Sequence, residues 1–105
     1  MKLLILITWK PDADPAAIEA FLQTAPEQLA AGPFVSFEHG TTMNPSTASD
    51  KRSPKGALLA DWGWIAELSS DDSKLWSTSE PHRQMEEKLA PILGTMTVLS
   101  WKTEG

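Results

Sequence analysis

The stretch from Asp61 to Leu93 constrains the fold more than any other part of this chain. It begins with an apolar run that carries Trp62 and Trp64, and it continues as an amphipathic helical pattern that carries His82. A short apolar run is typical of a covered β-strand, whereas apolar residues three or four positions apart are typical of a helix with one buried face. The stretch therefore predicts a strand that leads into a helix, and we expect any chemistry beside His82, one of two histidines in the chain.

The residues before this stretch begin with a strand and a helix. The apolar run from Leu3 to Trp9 predicts a first strand that is central and covered on both faces. Asp14 is well placed as an N-cap, and the helix after it is predicted from Pro15 to about Ala31. Pro26 lies inside this pattern and is expected to kink the helix or split it.

Two further strands are predicted on either side of a polar segment. Phe34 to Met43 predicts the second strand, and alternation places Phe34 and Phe37 on opposite faces. Ala57 to Leu68 predicts the third strand. It is antiparallel to the second if the polar segment 44–55 forms a hairpin loop.

The second helix and the last strand complete the pattern. Ser69 or Ser70 is expected to cap this helix, which is interrupted near residues 79–81 and continues to about Leu89. Thr95 to Trp101 predicts the last strand. The order β-α-β-β-α-β predicts an α+β, ferredoxin-like fold, with a four-stranded antiparallel sheet and two helices on one face.

The chain is predicted to be one domain, residues 1–105, that forms a homodimer. The first and third strands show little polar alternation, so the second face of the sheet is also expected to be apolar. An exposed apolar face on so small a domain needs a cover. A second copy, with the two sheets face to face, is the simplest one.

Charge and composition exclude several classes of partner and cofactor. The net charge of −5 argues against nucleic acid or an anionic membrane as a partner. The absence of cysteine excludes disulfides and thiolate metal sites, and the two histidines are too far apart for a paired metal motif. We therefore expect no metal site. No segment approaches the ~20 apolar residues of a membrane span, and we expect a cytoplasmic protein.

Several local sequences carry a family resemblance. They are KLLILITWKPD in the first strand, VSFEHG in the second, and SEPHRQM followed by LAPIL near the end. With them the chain resembles the stress-responsive α/β-barrel family, a branch of the dimeric α+β barrels that includes olivetolic acid cyclase-type polyketide cyclases. The family carries a His-Pro-x-His element, of which this chain keeps the second histidine as His82, with Ser79 in the first position and the proline shifted to Pro81.

The resemblance implies a small cofactor-independent enzyme that acts on an aromatic or polyketide-like molecule. His82 would be the general base or acid that removes a proton next to a carbonyl group, leading to ring closure or a lyase step. The catalytic tyrosine of the cyclases falls on Trp76, and an indole does not donate and accept a proton as a phenol does. The implied substrate pocket lies between helices and sheet, and its expected lining is Leu3, Ile5, Ile7, Phe21, Ala25, Trp64, Trp76 and Met85.

Two other polar residues are candidates for catalysis. Asp61 is a carboxylate within a strand pattern and would orient a histidine, or it lies at a sheet edge. His39 would be a second proton-handling group, or a strand-end residue in solvent. The alternative for His82 is a purely structural role, as a helix residue whose ring nitrogens are hydrogen-bonded to water or to a backbone carbonyl.

The five tryptophans and the loop leave further alternatives open. Trp62 and Trp64 share one sheet face and would pack in the core or form an aromatic interface across a dimer axis. The tryptophans would otherwise wall a cavity or stabilise a radical pair in a cofactor-free monooxygenase. The basic side chains in the segment 51–55 would be solvated or would attract an anionic group. A non-catalytic dimeric stress-response or ligand-binding protein is the remaining alternative.

Overall fold

A computed structural model of the chain describes residues 1–42, 60–72 and 74–102. Within them four strands form one antiparallel sheet, in which the second strand of the chain lies beside the third, the third beside the first and the first beside the fourth; this confirms the predicted α+β, ferredoxin-like arrangement. The predicted loop 44–55, its basic residues and the first part of the predicted third strand lie outside the described residues. The elements are β1 (Lys2–Trp9), α1 (Pro15–Ala30), β2 (Phe34–Thr41), β3 (Trp62–Leu68), α2 (Lys74–Ser77), α3 (Glu80–Leu89) and β4 (Leu93–Trp101).

Helix α1 begins as predicted but is not split by its proline. The Asp14 carboxylate accepts a hydrogen bond from the backbone N–H of Ala16 at 3.0 Å, and Pro15 occupies the first helical position. The helix continues through Pro26 to Ala30, so of the two expected outcomes, a kink or a split, the split is wrong. A proline removes a single helical hydrogen bond. The buried side chains on both sides of it, Phe21, Ala25 and Leu29, hold the helix on the sheet.

A β-bulge at the start of β2 changes which side chains face the core. Phe34 pairs with Leu68 and Ser36 pairs with Glu67, so Val35 is an extra residue in β2 and is 64% exposed. The extra residue reverses the alternation. Phe34 and Phe37 therefore both pack on the core, and the prediction that they lie on opposite faces is wrong.

The predicted second helix is two helices, α2 and α3. The Asp72 carboxylate accepts from the backbone N–H of Lys74 at 3.0 Å at the start of α2, so Asp72 takes the place expected for Ser69 or Ser70. The Ser70 hydroxyl instead accepts from the N–H of Asp72 at 3.1 Å. The interruption near residues 79–81 is confirmed, because Ser79 is the N-cap of α3.

The helices cover one face of the sheet, and both tryptophans of β3 lie there. Trp62 and Trp64 are each 3% exposed in the core under the helices, together with alternate residues of β1. They are therefore not available to an aromatic interface across a dimer axis, and that alternative is wrong.

The opposite face of the sheet, which we call the open face, has no cover among the described residues. Leu4 and Leu6 of β1 are only partly buried there. The sequence predicted that both faces of β1 are covered, whereas within one copy of the chain only one face is. Strand register and burial assign its members, which are Lys2, Leu4, Leu6 and Thr8 of β1, Ser36, Glu38 and Gly40 of β2, Gly63, Ile65 and Glu67 of β3, and Thr95, Thr97, Leu99 and Trp101 of β4.

Candidate functional site

His82 lies in the first turn of α3, where the cap of that helix positions it. The Ser79 hydroxyl accepts from the backbone N–H of His82 at 3.3 Å and donates to the carbonyl of Trp76 at 2.6 Å. Ser79 therefore links the end of α2 to the start of α3. The imidazole meets the Trp76 ring edge to face, with ring centroids 5.2 Å apart and an interplanar angle of 82°.

Trp76 is buried and is fixed by two further aromatic rings. Its ring centroid lies 4.9 Å from that of Phe34 and 5.6 Å from that of Trp64. The β-bulge that turns Phe34 inward is thus part of what positions the wall behind His82. The His82 side chain itself is 23% exposed, at the boundary between this aromatic cluster and solvent.

A small apolar cleft of about 40 Å³ lies between the sheet and α3 and contains His82. Ligand sites typically enclose ~300–1,000 Å³, so an organic ligand requires the side chains at the rim to move. Met96 at the rim is 42% exposed and has a flexible, unbranched side chain. The cleft is lined by Ile5, Ile7, Trp64, Trp76, His82, Met85, Glu86, Leu89 and Met96.

Glu86 is an acidic residue in the lining of this cleft, and no motif in the sequence predicted it. Its Oε1 atom lies 3.4 Å from Nε2 of His82, and its side chain is 63% exposed. The contact is longer than an ordinary hydrogen bond of ~2.7–3.2 Å, so it acts through charge and proximity. The signal that would have found Glu86 is its position four residues after His82 on a helix, which places both on one face.

Asp61 has a different environment and does not line the His82 cleft. It is 7% exposed, and its Oδ2 accepts a hydrogen bond from the backbone N–H of Trp9 at 2.7 Å. The carboxylate stands where the pairing of β1 with β4 shifts register after Thr8. It lines a separate open depression of about 860 Å³ that also includes Lys10 and Thr95. Asp61 thus satisfies the backbone N–H at the end of β1 and lies outside the His82 cleft.

His39 is also separate from the cleft. It lies exposed on the edge strand β2, stacked on Phe37 with ring centroids 6.4 Å apart and tilted against Trp62 at 6.1 Å. Its cross-strand partner is Trp64, whose ring contacts the Trp76 ring on the cleft side.

Three of the expected pocket residues belong to the core but not to the cleft. Phe21 packs edge to face on Trp9 and Trp62, with ring centroids 5.9 and 5.4 Å away. Leu3 and Ala25 are buried elsewhere in the same core. The structure therefore brings together six of the predicted site residues and adds Glu86, Leu89 and Met96. The six are Ile5, Ile7, Trp64, Trp76, His82 and Met85.

Residues 1–42, 60–72 and 74–102 contain neither a candidate metal site nor a helix that could span a membrane. In these ranges no group of three or more histidine, cysteine, aspartate or glutamate side chains is placed to hold a metal ion. None of the helices described is long and apolar enough to span a bilayer.

Comparison with known proteins gives matches at the level of the fold. No family model and no curated protein matches the sequence. A dimeric ferredoxin-like protein of unknown function from Thermobifida fusca superposes with a TM-score of 0.70 at 18% identity, covering 93% of this chain and 85% of that one.

Two further solved structures extend this likeness. A DABB family protein from Mesorhizobium loti gives a TM-score of 0.69 at 15% identity, with 99% and 96% of the two chains covered. A hydroxynitrile lyase from Passiflora edulis gives 0.67 at 14% identity, with 93% and 87% covered. The chain shares their ferredoxin-like fold. At these identities the comparison establishes architecture, and the chemistry of the His82 cleft has to be argued from its residues.

Proposed function

We propose that this protein is a small, cofactor-independent enzyme of the stress-responsive α/β-barrel type that uses His82 as a general base or acid. The observation that carries the proposal is the position of the imidazole, which borders an apolar cleft, contacts Trp76 and lies 3.4 Å from the Glu86 carboxylate. Imidazole exchanges protons near neutral pH, and general acid–base catalysis contributes ~10²–10⁴-fold in rate.

The Glu86 carboxylate supplies the orientation that a lone histidine lacks. Beside Nε2 it favours the tautomer that carries its proton there, which leaves Nδ1 as the proton acceptor. It also places a carboxylate oxygen 3.4 Å from the ring that carries the proton after its removal from the substrate. Trp76 forms an apolar wall and takes no part in proton transfer, because indole N–H is a donor only.

The substrate class follows from the aromatic and apolar lining. A conjugated molecule with three or more carbonyl groups fits the wall made of Trp64 and Trp76 once the rim side chains move. His82 removes the proton from a carbon between two of the carbonyls, and the carbanion attacks a third carbonyl carbon further along the same molecule, which closes the ring. The new alkoxide takes the proton back from the imidazolium, which regenerates His82.

A lyase step uses the same group, and the Passiflora edulis protein makes a hydroxynitrile the natural probe. His82 would take the hydroxyl proton while the carbon–carbon bond to cyanide breaks and the carbonyl forms. Cyanide leaves with the electron pair and takes the proton from the imidazolium. Both reactions therefore require the same histidine and no redox partner.

The proposal includes a homodimer and a small-molecule ligand. The similar protein from Thermobifida fusca is dimeric, and the open face here exposes Leu99 and Trp101 at 53% and 44%. Partly buried Leu4, Leu6 and Ile65 continue the same surface. A second copy removes this apolar area from water.

The test is turnover of aromatic hydroxynitriles and linear poly-β-ketone esters by wild type, His82→Ala and Arg83→Ala. Arg83 is the adjacent residue on the solvent side of α3 and serves as the matched control. We expect His82→Ala to lower kcat at least ~100-fold and Arg83→Ala to retain it. Equal turnover in both variants would remove His82 from the mechanism.

Two further readouts separate the alternative functions. Oxygen uptake on substrate addition would indicate a cofactor-free monooxygenase. Quenching of tryptophan fluorescence by the same compounds without any turnover would indicate a non-catalytic ligand-binding dimer, since Trp64 and Trp76 line the cleft.

A further inference from the structure

Three rows of side chains cross the centre of the open face, and each row joins β1 to β3. Lys2 lies opposite Glu67, Leu4 opposite Ile65 and Leu6 opposite Gly63. Since β1 and β3 are the two central strands of the sheet, these rows form the middle of the open face. Two of the rows have unlike ends, a cation facing an anion and a large residue facing a glycine, whereas the middle row joins two large apolar residues.

We propose that a second copy packs on the open face with its twofold axis parallel to the strands and between β1 and β3. This rests on the homodimer of the proposed function and specifies which residues meet. A twofold rotation about this axis leaves the position of each residue along the strand direction unchanged. It exchanges the β2 edge of the sheet with the β4 edge. Strand β1 of one copy then lies over β3 of the other, so each row meets its own reversed copy.

The charged row supports this alignment. It places Lys2 over the partner's Glu67, and symmetry repeats the contact, which gives two ionic contacts per dimer. Both residues are partly buried within one copy, and charges removed further from water need a partner. An axis across the strands would stack β1 on β1, with Lys2 over either another lysine or an uncharged residue. Opposite charges align only with the axis along the strands.

The glycine row supports the same alignment through shape. Across the sheet this row reads Gly40, Gly63, Leu6, Thr97, from β2 to β4. Its reversed copy places Thr97 and Leu6 of one protomer over the partner's Gly40 and the partner's Gly63. A depression of about 270 Å³ on the open face is lined by both glycines and Leu6, and it provides the space that these side chains fill.

Gly40 is the more informative of the two glycines. At Gly63 a Cβ would lie 2.8 Å from the Ile5 carbonyl oxygen, so the fold of a single copy already requires glycine. At Gly40 a Cβ would meet no atom within 4 Å among the described residues, and its backbone is not in the left-handed region. One copy alone gives no reason for glycine at position 40, whereas a second copy on this face does.

The alignment is tested by exchanging the two charges. Sedimentation equilibrium on Lys2→Glu and on Glu67→Lys should each show a dissociation constant raised by about tenfold, because each homodimer then pairs like charges. An equimolar mixture of the two variants should recover near wild-type affinity. In that heterodimer both contacts between copies join opposite charges, although each variant still has like charges within its own chain.

Control variants and a second substitution complete the design. Lys88→Glu and Glu19→Lys make the same charge changes on exposed positions of α3 and α1, and they should leave the dimer unchanged. Gly40→Leu should leave the fold of one copy intact, measured by circular dichroism, while weakening the dimer at least as much as the charge variants.

The outcomes distinguish the two levels of the proposal. A wild-type protein that is monomeric at micromolar concentration overturns the homodimer itself. A dimeric wild type with no recovery in the mixed charge variants, or with an unaffected Gly40→Leu dimer, overturns the alignment alone. Neither result bears on catalysis at His82, which lies on the helix-covered side of the sheet.

Discussion

At the scale of single residues, Glu86 and Asp61 are two acidic side chains with opposite roles. Glu86 is 63% exposed yet borders the cleft beside His82. Asp61 is almost fully buried yet accepts a hydrogen bond from the backbone of Trp9. Ranked by burial alone, Asp61 would precede Glu86 as a candidate for the proposed site. Proximity to the imidazole favours Glu86.

The Glu86→Gln variant should reduce kcat by about fivefold, with little change in KM. An exposed charge pair contributes at most ~1 kcal/mol, which corresponds to about that factor in rate. Steady-state kinetics on any substrate accepted by wild type measures the effect. Glu87→Gln is the control, because Glu87 pairs with Arg83 instead. A Glu86→Gln enzyme with wild-type kcat would show that the carboxylate does not assist His82.

Asp61→Ala should destabilise the fold by ~1–3 kcal/mol, because the Trp9 N–H loses its acceptor in a buried place. Urea unfolding followed by tryptophan fluorescence measures the change. Turnover by the fraction that remains folded should be close to that of wild type. Loss of kcat without loss of stability would instead return Asp61 to the catalytic site.

At the scale of elements, the short helices α2 and α3 are the part of the fold that creates the cleft. Ser79 caps α3 and bonds to the carbonyl of Trp76 at the end of α2. This link holds the Trp76 ring next to His82. The bulge in β2 contributes Phe34 to the same cluster. The site therefore depends on two local irregularities, a helix break and a strand bulge.

Ser79→Ala should lower the free energy of unfolding by ~1 kcal/mol, the usual value for an N-cap. It should also lower kcat, because the turn that carries His82 loses its anchor. Ser79→Thr is expected to retain most of the stability, since its hydroxyl can still accept from the His82 N–H and donate to the Trp76 carbonyl. Chemical denaturation and kinetics on both variants are the measurements, and equal stability of Ser79→Ala and wild type would contradict the role of the cap.

The exposed ion pairs of α3 give a pH dependence with a defined sign. A hydrogen bond from Arg83, assisted by its positive charge, lowers the pKa of Glu80 below its ordinary value of 4.5. A lowered pKa stabilises the folded state above the ordinary value, and the contribution is lost as the pH falls through the lowered one. Arg83→Leu should therefore be less stable than wild type at pH 7, and the two melting curves should converge at acidic pH. A difference that stays constant with pH would exclude this pair as its source.

At the scale of the whole molecule, one sheet serves two purposes on its two faces. The helix-covered face holds the aromatic core and the His82 cleft, whereas the open face carries unlike residues in rows that suit a second copy. The edge strand β4 contributes to both, with Met96 at the cleft and Leu99 and Trp101 on the open face. Association and chemistry are thus expected to be separable by mutation.

Because the proposed dimer buries the open face, the melting temperature should rise with protein concentration, as mass action requires. Differential scanning calorimetry over a hundredfold concentration range measures this dependence. Gly40→Leu should reduce or abolish it without lowering the melting temperature at the lowest concentration. A melting temperature independent of concentration in wild type would show that folding and association are not linked.

The sequence by itself determined the order and type of the elements, the cap at Asp14 and the break before α3, because these depend on neighbours within a few residues. It also selected His82, Trp76 and Met85 of the cleft, which one stretch of chain carries. Only the tertiary structure decided the partner of Asp61, 52 positions away, and the inward turn of Phe34 at a bulge. It also placed Trp62 and Trp64 under the helices. Local periodicity predicts which residues are buried, whereas strand register and packing determine which other residues they contact.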